Sequence, residues 1–167
     1  MIREATPDDV PAIIGLIRAL ADYERSLDQV QISEAQLHAA LFGDDHVAGC
    51  YLADDRGTAV GMALWFRTYS TWTGETGLYL EDLFVQPADR GGGHGRALLS
   101  RLAQHCVERG WARFEWAVLD WNTSAIEFYR SLGAAVLPDW RICRMVGSSL
   151  EALAGGARPG PDAPAGR

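Results

Sequence analysis

Leu80-Glu81-Asp82-Leu83-Phe84-Val85, followed by Arg90-Gly91-Gly92-Gly93-His94-Gly95-Arg96, runs from an apolar strand through a glycine loop into an amphipathic helix. Glycines lack Cβ atoms, so backbone N–H groups can close on a phosphate, and the helix that begins here adds its unsatisfied N–H groups and the positive end of its dipole. Anion binding follows from this arrangement. Spacing narrows the anion: Arg-x-x-Gly-x-Gly has Arg96 where a dinucleotide fingerprint needs its third glycine, and it lacks the Gly-Lys-Ser/Thr ending of a P-loop. Both nucleotide readings weaken, and a flexible loop without a ligand is the plain alternative.

Outward from the loop, residues 77–85 read as a strand and 95–109 as a helix with Leu98, Leu99, Leu102 and Cys106 on its inner face, stopped by Gly110. Residues 114–119 are apolar and β-rich, which predicts a central strand. A short helix over 123–132 closes at Gly133, and a final strand is expected at 140–146. Upstream, residues 1–5 read as a strand. Thr6 and Pro7 start a first helix with Val10, Ile13, Ile14, Ile17 and Leu20 on one face, and Ser33 with Gln36 boxes a second ending near Gly43. Residues 47–53 and 58–68 predict a hairpin about Asp54-Asp55-Arg56-Gly57, and the loop from Arg25 to Ile32 is placed to border a substrate site. Strands and helices in this order predict an α/β (α+β) layered domain over 1–150. The tail, 151–167, is rich in Gly, Ala and Pro, and disorder is expected there.

A chain of 167 residues with 48% hydrophobic residues suffices for one domain with a substantial core. Its net charge of −7 argues against nucleic acid or an anionic membrane as partner and favours cationic ones. No apolar run approaches spanning length, and Met1-Ile2-Arg3-Glu4 is unlike a signal peptide, so a cytoplasmic location is expected. Cys50, Cys106 and Cys143 are odd in number and widely spaced, which fits reduced thiols. His38, His46, His94 and His105 show no ligand spacing, and no metal is expected.

The loop, together with Tyr79-Leu80-Glu81-Asp82-Leu83-Phe84-Val85 before it and Val118-Leu119-Asp120-Trp121-Asn122-Thr123-Ser124-Ala125-Ile126-Glu127-Phe128-Tyr129 after it, resembles the GNAT N-acetyltransferase superfamily in its diamine (spermidine/spermine-type) branch. The likeness runs from about Ile2 to Val146 and is strongest from Tyr69 to Gly133. It implies a mixed, twisted sheet of six to seven strands flanked by four helices, acetyl-CoA as cosubstrate, a small cationic amine as acceptor, and a homodimer. It also implies that the backbone of Leu83, Phe84 and Val85 holds the pantetheine arm and polarises the thioester, which is oxyanion stabilisation by main chain. By the same likeness Arg90, Gly91, Gly92, Gly93, His94, Gly95 and Arg96 bind the pyrophosphate, and Asn122, Thr123, Ser124 and Ala125 bracket the cofactor's other side.

Tyr129, on the matching motif, is the expected general acid, since a phenol of pKa about 10 is protonated at neutral pH and can donate to a leaving thiolate. An ordinary packed aromatic on the Ile126/Tyr129/Leu132 face is the bland alternative. Glu81 and Asp82 are adjacent in an apolar strand, where successive side chains alternate faces, so one of them is expected in a cleft. The resemblance puts Glu81 at the substrate amine, as contact and proton acceptor. Tyr23, Glu24, Asp82, Trp72, Glu115, Trp116, Asp139 and Trp140 complete the acceptor candidates, because carboxylates and aromatic faces both attract ammonium groups.

One departure matters. Spermidine-acetylating members carry Tyr-Asp-Pro-Trp where this chain has Tyr69-Ser70-Thr71-Trp72. That loop, with Arg113-Phe114-Glu115-Trp116, is closer to the thialysine-type members. Losing the carboxylate disfavours long polyamines, and a lysine-like acceptor would need a cation for its own carboxylate, with Arg67, Arg141 and Arg144 as candidates. Acetylation of a protein amine and a CoA-binding module without turnover are the alternatives.

Overall fold

The computed structural model describes residues 1–156. Two compact units make up the chain, residues 1–117 and a second beginning at Val118. The first holds β1 (Ile2–Glu4), α1 (Val10–Tyr23), α2 (Glu34–Phe42), β2 (Ala48–Asp55), β3 (Thr58–Ser70), β4 (Glu75–Val85), α3 (His94–Glu108) and β5 (Arg113–Trp116). The second holds α4 (Thr123–Ser131) and α5 (Gly147–Ala154).

Local chemistry explains the helix starts. Thr6 and Asp9 form a capping box around the 3₁₀ turn Pro7–Asp9 that leads into α1. Arg3 clamps the same Asp9 through both carboxylate oxygens at 2.7 and 2.8 Å, and that hydrogen-bonded pairing holds the Asp9 carboxyl well below its usual range. At α2, Ser33 Oγ accepts from the Gln36 amide at 3.3 Å while Gln36 Oε1 accepts from the Ser33 amide at 2.9 Å, as the sequence predicts.

The five strands lie in the order β1-β2-β3-β4-β5, antiparallel except for β4 and β5, which are parallel. Period-two alternation divides the core between two faces. Cys50, Leu52, Met62 and Phe84 meet Val10, Ile13, Ile14 and Leu20 of α1 and Leu37 and Leu41 of α2. Tyr51, Ala53 and Ala63 alternate with them, on the side where α3 buries Leu98, Leu99, Leu102 and Cys106. Burial pushes the Cys50 thiol up to about 12, so it is an inert packing group, as Cys106 also is.

Several expectations are corrected. The strand expected at 114–119 is Arg113–Trp116, and it is the last strand of the sheet among the described residues. Its partner explains the early stop. Leu64 pairs with Asp82 while Trp65 pairs with Leu80, so Glu81 is the extra residue of a β-bulge. Leu80 against Trp116 is the last β4–β5 pair, and a bulge bends its strand away at that point. Residues 140–146 form no strand: their alternation supplies propensity, but propensity does not supply a partner for the ladder. The described residues therefore carry five strands where six to seven were expected, and five α-helices where four were. The fifth, α5, turns 151–154 of the expected tail helical, although none of its residues is buried. Residues 157–167 of that tail lie outside the described residues.

On the α3 face, Tyr51 Oη donates to Glu4 Oε1 at 3.2 Å, and a carboxylate can only accept. Tyr51 oxygen therefore accepts from His105 Nδ1–H at 2.9 Å, which leaves His105 Nε2 buried without a partner. His105 is 3% exposed, packed against both the Trp65 and Trp111 rings. Burial, then Arg109 and Arg101, depress its pKa below the usual 6.5. The unfolded chain thus binds the proton more readily: the stabilisation is complete above about pH 6.5 and is lost as pH falls toward the folded-state pKa. Denaturant midpoints taken from pH 7.5 to 5 should fall for the natural chain and fall less for His105→Gln; parallel curves would show that His105 is not held neutral.

Candidate functional site

Backbone hydrogen bonding at the centre of the sheet defines the site. Residues 77–80 of β4 pair with β3 on one side and with β5 on the other. From Glu81 to Val85 only β3 remains among the described residues, so alternate N–H and C=O groups of Leu83, Phe84 and Val85 face an edge with no strand on it. Such groups require a partner of some kind. Trp116, at the end of β5, and Glu81, at the bulge, flank the point where the strands part. Glu81 is exposed and Asp82 half-buried. Asp82 stands opposite Leu64, on the face that α1 and α2 cover. The alternation expected between Glu81 and Asp82 does not carry across a bulge, so their directions are set by the bulge and not by strict period two.

Beyond Val85 the 3₁₀ turn Pro87–Asp89 leads into the glycine loop. Gly91 and Gly93 have φ of 84° and 81°, the left-handed region, and Gly93 is the N-cap of α3. The loop thus turns sharply onto the helix, and the amides of His94, Gly95 and Arg96 form the first turn, whose N–H groups lack carbonyl partners within the helix. Arg90 is placed differently from the rest. Its Nε donates to the Val85 carbonyl at 3.1 Å, and its guanidinium lies 4.7 Å from the Tyr23 ring centre and 5.7 Å from that of Phe84.

The end of α1 is therefore brought to the loop. Tyr23 is its last residue and the half-buried Glu24 follows. Arg25 then takes φ of 59°, and Ser26 N–H reaches back to the Ala21 carbonyl at 2.8 Å, a helix-closing turn built on a residue other than glycine. Trp72 is not brought here. It is 93% exposed in the β3–β4 turn, at the other end of β4, roughly 30 Å away along a strand that rises about 3.3 Å per residue. Glu115 is bound to Arg113 at 2.7 Å. Arg67 is exposed on β3.

In the second unit Asn122 caps α4: its Oδ1 accepts from the Ala125 amide at 3.3 Å and from Ser124 Oγ at 3.2 Å, and Thr123 opens the helix. Gly133, with φ of 92°, lets Ala134 N–H bond the Tyr129 carbonyl and end the helix. Ala125, Ile126, Tyr129 and Leu132 form its half-buried stripe, with Phe128 against Tyr129. Asp139, Trp140, Arg141 and Arg144 are exposed in a stretch outside the helices.

Residues 13–134 match the acetyltransferase (GNAT) family. The chain belongs to that family. It is 39% identical to the thialysine N-epsilon-acetyltransferase of Sus scrofa over 93% of this chain and 97% of that one. It is 30% identical to an L-ornithine N5-acetyltransferase of Arabidopsis thaliana over 91% and 86%. Among solved structures, an integron cassette protein from the mobile metagenome of V. cholerae superposes with a TM-score of 0.78 at 24% identity, over 92% of this chain and 96% of that one, and shares its fold. The chain is an N-acetyltransferase, and the reading as a CoA-binding module without turnover gives way.

The bulge at Glu81, the Arg90 stack on Tyr23 and the left-handed Arg25 escape a reading of the sequence. None of the three carries a glycine or proline signal, although the sequence does place the loop from Arg25 at a border of the site. A left-handed residue other than glycine is strained by about 1–2 kcal/mol, and glycine's greater chain entropy offsets part of the relief. Arg25→Gly should stabilise the fold by up to about 1 kcal/mol, raising Tm by roughly 2–4 °C in a thermal melt.

Proposed function

We propose that this N-acetyltransferase works in the cytoplasm, passing the acetyl group of acetyl-CoA directly to the side-chain amine of a short amino acid of the thialysine, lysine or ornithine kind. The observation that carries the reading is the bare edge of β4 running into the glycine loop. Alternate main-chain groups from Leu83 to Val85 have no strand beside them among the described residues, which suits an extended pantetheine arm. His94, Gly95 and Arg96, behind the left-handed Gly93, suit a pyrophosphate. When bound, the thioester supplies the activated acetyl group.

The protein's own residues then have three tasks. Leu83 to Val85 polarise the carbonyl through fixed main-chain dipoles. Glu81, exposed at the bulge, attracts the ammonium and accepts its proton directly or through water, which leaves a neutral nucleophile. Tyr129 donates a proton to the departing thiolate. Tyr23, Glu24, Asp82, Trp116, Asp139 and Trp140 are the proposed acceptor surroundings, while the ion pair of Glu115 with Arg113 and the distance of Trp72 from the loop weigh against those two.

Relatives named for thialysine and L-ornithine support a short acceptor, and so does Ser70 in place of a carboxylate. Both named acceptors carry an α-carboxylate, for which Arg67, Arg141 or Arg144 is the proposed partner. A homodimer is proposed as well. Trp140, Ile142, Met145 and Val146 are 75, 71, 43 and 38% exposed, in a segment without a strand partner, and a second copy would cover them. Sedimentation should give a dimer at micromolar concentration; a monomer would reject it.

Tyr129→Phe should keep acetyl-CoA affinity and lower turnover roughly 10²-fold, since it removes a proton donor and almost no volume. Unchanged turnover would return Tyr129 to a packing role. Against a panel of diamines, polyamines, lysine analogues and peptides, the specificity constant should be highest for a short amino-acid amine. The rate should rise with pH through the neutral range, because an ammonium of pKa about 10.4 must lose its proton. Preference for spermine, or an unaltered rate in Glu81→Gln, would overturn the proposed acceptor site, and preference for a peptide would favour a protein amine.

A further inference from the structure

We propose that Arg90 is a positioning residue that fastens the glycine loop to the end of α1 through the Tyr23 ring, so that affinity for acetyl-CoA depends on a side chain outside the loop. This rests on the reading of the loop as the pyrophosphate site.

Position in the motif alone would give Arg90 to the phosphates. Its geometry gives it other work. Nε is committed to the Val85 carbonyl at 3.1 Å, and the guanidinium plane stands over Tyr23 at 4.7 Å and near Phe84 at 5.7 Å. One side chain thus joins the last two residues of β4, the last residue of α1 and the first residue of the loop. Two of the loop glycines have little lateral support: a Cβ built on Gly91 or Gly93 would meet nothing within 4 Å, whereas one on Gly92 would meet the His94 ring at 3.3 Å. Two left-handed glycines in open space leave many conformations available, and anchoring Arg90 removes some of them before the ligand arrives. Lysine cannot reproduce this anchor, because it offers neither a planar group to stack nor a directed Nε–H for the carbonyl.

The consequence crosses between elements. Tyr23 holds the loop through Arg90 and also stands among the proposed acceptor residues, and linkage between two sites is reciprocal. Acetyl-CoA that orders the loop thereby orders the Tyr23 end of α1.

Calorimetry with CoA on the natural chain, Tyr23→Phe, Tyr23→Leu, Arg90→Lys and the double variant Tyr23→Leu/Arg90→Lys tests the idea, with thermal melts to confirm folding. A cation–π contact at an exposed site corresponds to a factor of about two to five. Tyr23→Leu and Arg90→Lys should each weaken CoA binding by about that factor, Tyr23→Phe should restore it, and the double variant should be no weaker than either single one. Natural affinity in Tyr23→Leu, or factors that multiply in the double variant, would overturn the positioning role and leave the loop assignment standing. A natural chain that binds no CoA would overturn both.

Discussion

From Glu81 onward β4 has, among the described residues, a strand on one side only, and this unequal pairing is the constraint from which the site develops. A strand in the middle of a sheet ordinarily satisfies its polar backbone on both sides, and leaving one side open at the centre of a domain is costly unless a ligand or solvent answers it. The bulge at Glu81 creates the opening. It inserts one residue against β3, bends β4, and ends the β5 ladder at Trp116. Past the bulge, Leu83 to Val85 have no β5 residue opposite them.

The segment after β4 continues the same polarity. Val85 leads through a single 3₁₀ turn to the glycine loop, and the loop enters α3 at its dipole-positive end, so exposed strand amides and helix amides succeed one another within a short run. α3 is held by its own apolar face, Leu98, Leu99 and Leu102, and by the hydrogen-bonded chain Glu4, Tyr51 and His105 near its far end. On the opposite face α1 is packed by Val10, Ile13, Ile14 and Leu20, and its last residue, Tyr23, lies under the Arg90 guanidinium. The two faces of one sheet thus fix two helices whose ends meet the same loop.

In the second unit the order is local. Asn122 starts α4 and Gly133 ends it, so the phase of the helix, and with it the placing of Tyr129 on the half-buried stripe, is decided within about a dozen residues. This is why the motif from Asn122 to Tyr129 is informative in the sequence. Its spacing encodes a capped helix with one phenol on one face, whatever packs against it.

The sequence by itself determined what neighbouring residues decide: the helix cap at Thr6, the capping box at Ser33, the hairpin of β2 and β3, the two helix stripes, and the glycine loop that leads into α3. These depend on local periodicity, side chains that reach their own backbone, and the absence of Cβ. The tertiary structure alone decided the bulge at Glu81, the shortness of β5, the missing strand at 140–146 and the pairing of Arg90 with Tyr23. Each of those depends on a hydrogen-bond or stacking partner far away in the chain, and a residue's own propensity carries no information about whether that partner is present.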